Sequence, residues 1–432
     1  MIRFSRVAWI ALLLFLPLSS CTCVDEGEYG WEFAEPDTFT FTNGPDTEFN
    51  YPDEWRDVGD IEEPPDVADG WEVEPDTDPW KPDEVEPNVC EQALNDRTSI
   101  VVDDNGTMWL GYHKYRGRNC EHSTLVVSRK RLNGRWVRED IQPHEGIFAV
   151  SMIESNRPIA VYPDSVDGEF VAAHRKGPGD WRPNNFDVGG HFVDDGDGFD
   201  VTEDGRRFYV TFAEDNAPEV RLYTYDTDNK RAGWRTLRAL DARDPRAAME
   251  RGLRADTDDS VYLVHRNDER ARFGVARYDK KADRWTNRTY FSNQNSGANV
   301  HSFVITKDFK LCMSSRFRRR LLVTCGTMFN LQKERKLFQN QEIPMEYPSS
   351  MIEGDDGTLY VAFHPQDNSE LRVAKRTAEG SWDVQTVYDG PSYGISTAID
   401  KTGDLVMAFY TCEGLGSSQC SLKVVQENPD GL

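Results

Sequence analysis

Two stretches, Ser99-Ile-Val-Val-Asp-Asp-Asn-Gly106-Thr-Met-Trp-Leu-Gly-Tyr112 and Met351-Ile-Glu-Gly-Asp-Asp-Gly357-Thr-Leu-Tyr-Val-Ala-Phe363, read alike: a short apolar strand, a turn of Asp and Gly, then an aromatic-rich strand. Related copies turn at Asn156, Gly205, Asp259, Phe309 and Gly403. With Gly106 and Gly357 the seven turns are spaced 50, 49, 54, 50, 48 and 46 residues apart. A period near fifty marks stacked supersecondary units, each of which buries its apolar face only against a neighbour.

Beyond this core of each unit, a variable polar loop leads to a third strand, such as Ser123 to Ser128, Arg221 to Tyr225, Gly274 to Tyr278 or Leu371 to Ala374. A tryptophan then opens a fourth strand in most copies: Trp136, Trp181, Trp234, Trp285 and Trp382. Period-two alternation, turns of Asp, Asn and Gly, and no sustained helical spacing make the chain all-β. Seven four-stranded antiparallel units predict a seven-bladed β-propeller, whose radial closure leaves few open sheet edges. The seventh copy stops after its third strand. Trp80 lies 19 residues before Ser99, close to the spacing from each repeat Trp to the next first strand, so residues 80–97 are expected to return and close the last blade. Pro82 confines that strand to an outer edge, where a missing N–H costs little.

The turn and the fourth-strand Trp resemble those of sialidase-like propellers and of bacterial repeat proteins with an Asp-x-x-Gly turn, over roughly residues 98–425. The resemblance implies the fold. The sialidase Asp-box, Ser-x-Asp-x-Gly-x-Thr-Trp, has no intact copy, and the arginine triad, acid Asp and Tyr nucleophile of true sialidases find no match, so sialidase activity is not implied.

Charge divides the chain in two. The formal net charge is -25, yet residues 24–89 carry 23 carboxylates against Arg56 and Lys81, a net of -21, while residues 90–432 net only -6. An acidic protein of this kind is no nucleic-acid binder. Nine prolines and few aliphatic residues in that strip predict a disordered, self-repelling tether. Ahead of it, Arg3, Arg6 and the apolar run Val7 to Leu18 form an export signal too short to span a bilayer. The run ends in Leu18-Ser19-Ser20-Cys21, which resembles the lipobox of bacterial lipoproteins and implies lipidation of Cys21. The domain reading is a signal peptide at 1–20, a lipidated cysteine and tether at 21–79, and the propeller at 80–432. The expected address is the bacterial cell envelope, anchored by lipid in the outer membrane or at the cell surface.

Export favours disulfides. Local spacing pairs Cys312 with Cys325 and Cys412 with Cys420, which leaves Cys90 with Cys120.

In a propeller, the loops joining strands two and three, and strand four to the next blade, gather on one axial face, where function usually sits. That face is expected to display Tyr112, His113, His265, Arg316, Arg318, His364 and Tyr410 as ligand-binding residues, since His and Tyr recur there at blade ends. Tyrosines stack on sugars, and guanidinium forks such as those of Arg316 and Arg318 recognise anionic glycans. Asp194 to Asp200 carries alternating oxygen donors but lacks the distal bidentate Glu of a calcium loop. No catalytic set, metal site or cofactor motif emerges. The reading is therefore a monomeric, non-catalytic binding or scaffold propeller for a glycan or envelope protein. The alternative is a carbohydrate-active enzyme, a glycoside hydrolase or polysaccharide lyase, using the same axial face.

Overall fold

The computed structural model describes residues 80–427 except 117–119, 132–133, 144–145, 147, 154–155, 165–168, 188–199, 204–206, 214–218, 227–233, 238–239, 242–247, 256–259, 267–272, 291–298, 309, 318–319, 329–333, 343–348, 366–367, 377–379 and 413–419. Cys21, the tether, and the Asp194 to Phe199 part of the acidic loop lie outside the described residues.

The first strand, β1 (Asp83–Val89), pairs antiparallel with the last, β30 (Cys420–Gln426), and completes the sheet of β28 (Tyr393–Ile399) and β29 (Leu405–Cys412). Between these ends lie six further blades. Blade one is β2 (Ser99–Val102), β3 (Met108–Arg116), β4 (His122–Lys130) and β5 (Val137–Pro143). Blade two is β6 (Ala149–Ile153), β7 (Arg157–Asp164), β8 (Glu169–Gly177) and a fourth strand split into β9 (Asp180–Arg182) and β10 (Asn185–Asp187). Pro183, which has no N–H, falls at the break, and Asn184 resumes the ladder with two backbone bonds to Ala172, both 3.1 Å. Blade three is β11 (Asp200–Glu203), β12 (Arg207–Ala213), β13 (Glu219–Asp226) and a similarly divided β14 (Trp234–Thr236) and β15 (Leu240–Asp241). Blades four and five run from β16 (Ala248–Ala255) through β17 (Ser260–Arg266), β18 (Phe273–Asp279), β19 (Arg284–Tyr290), β20 (Asn299–Ile305), β21 (Leu311–Phe317) and β22 (Arg320–Gly326) to β23 (Glu334–Glu342). Blade six is β24 (Ser350–Glu353), β25 (Leu359–Phe363), β26 (Glu370–Arg376) and β27 (Trp382–Asp389). The first strands β2, β6, β11, β16, β20, β24 and β28 succeed one another around the axis, and β28 meets β2. The chain is a seven-bladed β-propeller.

Strand periodicity accounts for how the blades hold together. Alternate side chains point to opposite faces of each sheet, so every blade gives one apolar face to each neighbour. Leu110, Val126, Ala408 and Leu422 fill the junction of blades seven and one, and Leu125, Val127, Ala160 and Val171 that of blades one and two. Each fourth-strand tryptophan described packs into the cluster its blade shares with the preceding one: Trp136, Trp181, Trp285 and Trp382 do so partly buried. Trp80 does the same for blade seven, 3 % exposed and bridged to Glu427 just after β30. Two of these indoles donate to a carboxylate on the outer strand of the blade before: Trp136 to Asp83 at 2.8 Å and Trp181 to Glu139 at 2.9 Å.

In blades one and seven the first turn is tied by an aspartate. Asp103 Oδ1 accepts the Asn105 and Thr107 amides at 2.9 and 2.8 Å, while Oδ2 accepts Trp109 Nε1 at 3.1 Å. Asp400 likewise accepts from the Thr402 and Asp404 amides. The residue three further on, Gly106 (φ 75) or Gly403 (φ 90), needs the left-handed conformation that glycine adopts without strain.

Candidate functional site

The three bridges are Cys90–Cys120, Cys312–Cys325 and Cys412–Cys420. The last two join directly opposed residues of neighbouring strands, β21 with β22 and β29 with β30. Cys90–Cys120 fastens the chain just after β1 to the β3–β4 hairpin of blade one.

Between that bridge and β2 the chain forms a short 3-10 helix (Glu91–Asn95) that packs on β3, β28 and β29. It packs against the strands that carry Tyr112, His113 and Tyr410, three of the residues expected to face a ligand. Tyr112, His113, His364 and Tyr410 are all buried, at most 2 % exposed, rather than presented on a loop face. Tyr112 Oη bonds Glu86 at 3.1 Å and Ser128 at 3.2 Å. Burial, and then the Glu86 carboxylate, push its phenol well above the ordinary value, although the Ser128 bond works the other way. His113 Nδ1 lies 3.1 Å from Asp96 Oδ2, which also accepts the Tyr115 hydroxyl at 2.8 Å. The Tyr410 phenol is likewise pushed far up, by burial first and then by the Asp96 charge. His364 Nδ1 lies 3.1 Å from the Pro365 carbonyl. Gly394 (φ 59) admits the crossover, since a Cβ there would sit 2.4 Å from the Asp96 carbonyl oxygen.

Asp96, His113 and Tyr115 thus form a partly buried polar cluster that pins the crossover to blade one. Asp96 has no sequence signal beyond its place between Cys90 and Ser99. Of the remaining candidates, His265 and Arg316 lie on the second strands β17 and β21, with side chains outside the described residues. Arg318 lies outside them entirely. Phe317 at the end of β21 pairs with Arg320 at the start of β22. Among the described residues, no three His, Cys, Asp or Glu side chains converge as metal ligands.

A solvent-facing cleft of about 560 Å³ opens instead between blades six and seven, where β27 diverges from β30 and β1. Tyr388 is its hub. Lys423 Nζ donates to Tyr388 Oη at 3.1 Å and lies 4.8 Å from the ring centroid, and Thr411 Oγ1 donates to the same oxygen at 3.4 Å. Phe409 backs the ring at 5.1 Å, and Gly390 lets the following turn close against it, because a Cβ there would lie 2.8 Å from Tyr388 Cε1. Register puts Glu84 of β1 opposite Lys423, and Asp389, Pro87 and Pro391 complete the rim. These residues escape sequence reasoning because positions 84, 388 and 423 meet only through ring closure and strand register. The one local cue is the Tyr388-Asp389-Gly390-Pro391 turn.

This architecture is that of a seven-bladed propeller with its ring closed by an N-terminal strand. No protein-family model matches the sequence, and a search of curated proteins finds no relative. Solved structures resemble it in fold. A fungal alcohol oxidase in complex with copper superposes with a TM-score of 0.53 at 12 % identity, covering 81 % of this chain and 76 % of that one. A catalytically inactive virginiamycin B lyase from Staphylococcus aureus, with quinupristin, gives 0.51 at 13 % identity over 80 % of this chain and 99 % of the lyase. A sialidase from Streptococcus pneumoniae matches at 0.44 and 9 % identity, covering 78 % of this chain and 68 % of that one, too distant to support an argument. At such identities the likeness is one of fold alone, and one fold hosts many chemistries.

Proposed function

We propose that the protein is a lipid-anchored envelope lipoprotein whose propeller is a binding module for a glycan or a protein partner. The observation that carries the binding half is the contrast between the two groups of polar residues. Tyr112, His113, His364 and Tyr410 are buried, and Tyr112 and His113 are held by internal hydrogen bonds, whereas the solvent-facing cleft around Tyr388 offers donors and acceptors to a ligand. A general acid or base must reach the proton it moves, and a fully buried His113 held to Asp96 does not favour the glycosidase or lyase alternative. The anchor half rests on the Leu18-Ser-Ser-Cys21 sequence and the acidic stretch behind it.

Two measurements test this. Expressed in a bacterium with lipoprotein processing, the wild-type chain is expected in the membrane fraction and the Cys21→Ser variant outside it; equal membrane recovery of both refutes lipid anchoring. On a broad glycan array, turnover of any bound glycan into shorter products would move the assignment from binder to enzyme.

A further inference from the structure

We infer that the cleft between blades six and seven is a seat for a neutral sugar unit. This rests on the glycan-binding reading above and narrows it to one ligand class and one place. The cleft's volume, about 560 Å³, falls in the range of small-ligand sites. Its chemistry is specific. Tyr388 Oη accepts from both Lys423 and Thr411, which occupies its lone pairs. Its own O–H then has a proton to give, and none of its hydrogen bonds within the described residues uses it. Lys423 has two further N–H groups beside it. Together they form a fixed pair of donors for one ligand oxygen.

The opposite requirement is met at the rim. Glu84 and Asp389 are exposed carboxylates, acceptors suited to a ligand that brings hydroxyl donors. A ligand that both accepts at one end and donates at the other is a polyol such as a sugar, and Pro87 and Pro391 offer apolar surface to its C–H faces. The two carboxylates outnumber the single ammonium, so a uronate or sulfated sugar is disfavoured by like charge. Little reorganisation is needed on binding, because Phe409 and Gly390 already fix the Tyr388 ring. A sugar held here touches β27, β30 and β1 at once, so it staples the strand that closes the ring to its two neighbours.

The test is calorimetric titration of the full-length protein with lactose, maltose, mannobiose and chitobiose as neutral probes and digalacturonate as the acidic one. Hydrogen exchange is followed in parallel. At least one neutral disaccharide is expected to bind, with slowed exchange at residues 84–88, 388–391 and 421–423. Tyr388→Phe, which keeps the ring and removes the donor, should weaken binding at least tenfold without moving the melting temperature. If it disturbs folding instead, the exchange footprint on the wild type decides. Neutral-sugar binding that is unchanged in Tyr388→Phe, or protected elsewhere, overturns this seat while leaving the glycan reading intact. Tighter binding of digalacturonate overturns the ligand class. Absence of any saccharide binding, on these probes and on a broad array, overturns both.

Discussion

Replacing Glu139 by Ala isolates the contact that locks blade one to blade two. Its carboxylate, 3 % exposed, accepts Arg175 Nε and Nη2 at 2.7 and 2.8 Å, Arg129 Nε at 3.0 Å and Trp181 Nε1 at 2.9 Å. Both guanidinium groups also lie over the Trp109 ring, 5.0 and 6.0 Å from its centroid. Removing one partner of a buried ion pair costs about 3–5 kcal/mol, because the charge left behind is uncompensated. Arg175 and Arg129 retain 14 % and 20 % exposure and hence some water, which places the expected loss near the lower end, about 3 kcal/mol. The melting temperature should then fall by roughly 6–12 °C, toward the smaller figure for a body this long. Glu139→Gln tests charge against volume: it keeps the shape but turns an NH₂ donor toward other donors, and should recover little of the loss. Burial alone would raise the Glu139 pKa, but the Arg175 pair, the Gly179 amide and Arg129 together lower it below 4.5. A lowered folded pKa means the unfolded chain binds more protons in this range. The stabilisation is therefore complete above pH 4.5 and is lost as pH falls through the folded value. The gap between wild type and Glu139→Ala, measured by urea denaturation at stepped pH, should close on acidification. An Ala variant within about 0.5 kcal/mol of wild type at neutral pH, the range of an ordinary surface substitution, would show that the network is incidental to stability.

Two further outcomes bear on ring closure. Trp80→Ala removes a buried indole from the cluster between blades six and seven and should cost about 3–5 kcal/mol in equilibrium unfolding; an unchanged midpoint argues against Trp80 as part of the closure. Replacing both Cys90 and Cys120 with Ser opens a link across 30 residues, against 8 for Cys412–Cys420. Chain entropy then gives losses of about 3.6 and about 2.5 kcal/mol, and denaturation of the two double variants should rank them in that order.

The closure also shows how far local sequence reaches. The Asp-x-x-Gly turn, the strand alternation and the fourth-strand Trp are short-range signals, since each is enforced by hydrogen bonds or packing within a few residues or one repeat. Asp103 binding its own following amides is legible at positions 103 to 109. A place at a strand end is a weaker signal, and at Tyr112, His113, His364 and Tyr410 it does not bring exposure. Whether a strand-end residue meets solvent depends on what crosses above it, and at Tyr112, His113 and Tyr410 the neighbouring Glu91–Asn95 crossover helps take that place.

The repeat, its period of about fifty residues, the all-β class, the count of seven and the concentration of charge in an N-terminal strip are all written in the linear chain. Each is a pattern that recurs or accumulates along neighbouring residues. The meeting of side chains across blades belongs to the folded ring instead. Lys423, Tyr388 and Glu84 are joined by strand register and by the closing of a ring whose two ends lie more than three hundred residues apart in sequence. No local periodicity encodes such a meeting, because register is fixed by the summed packing of whole sheets.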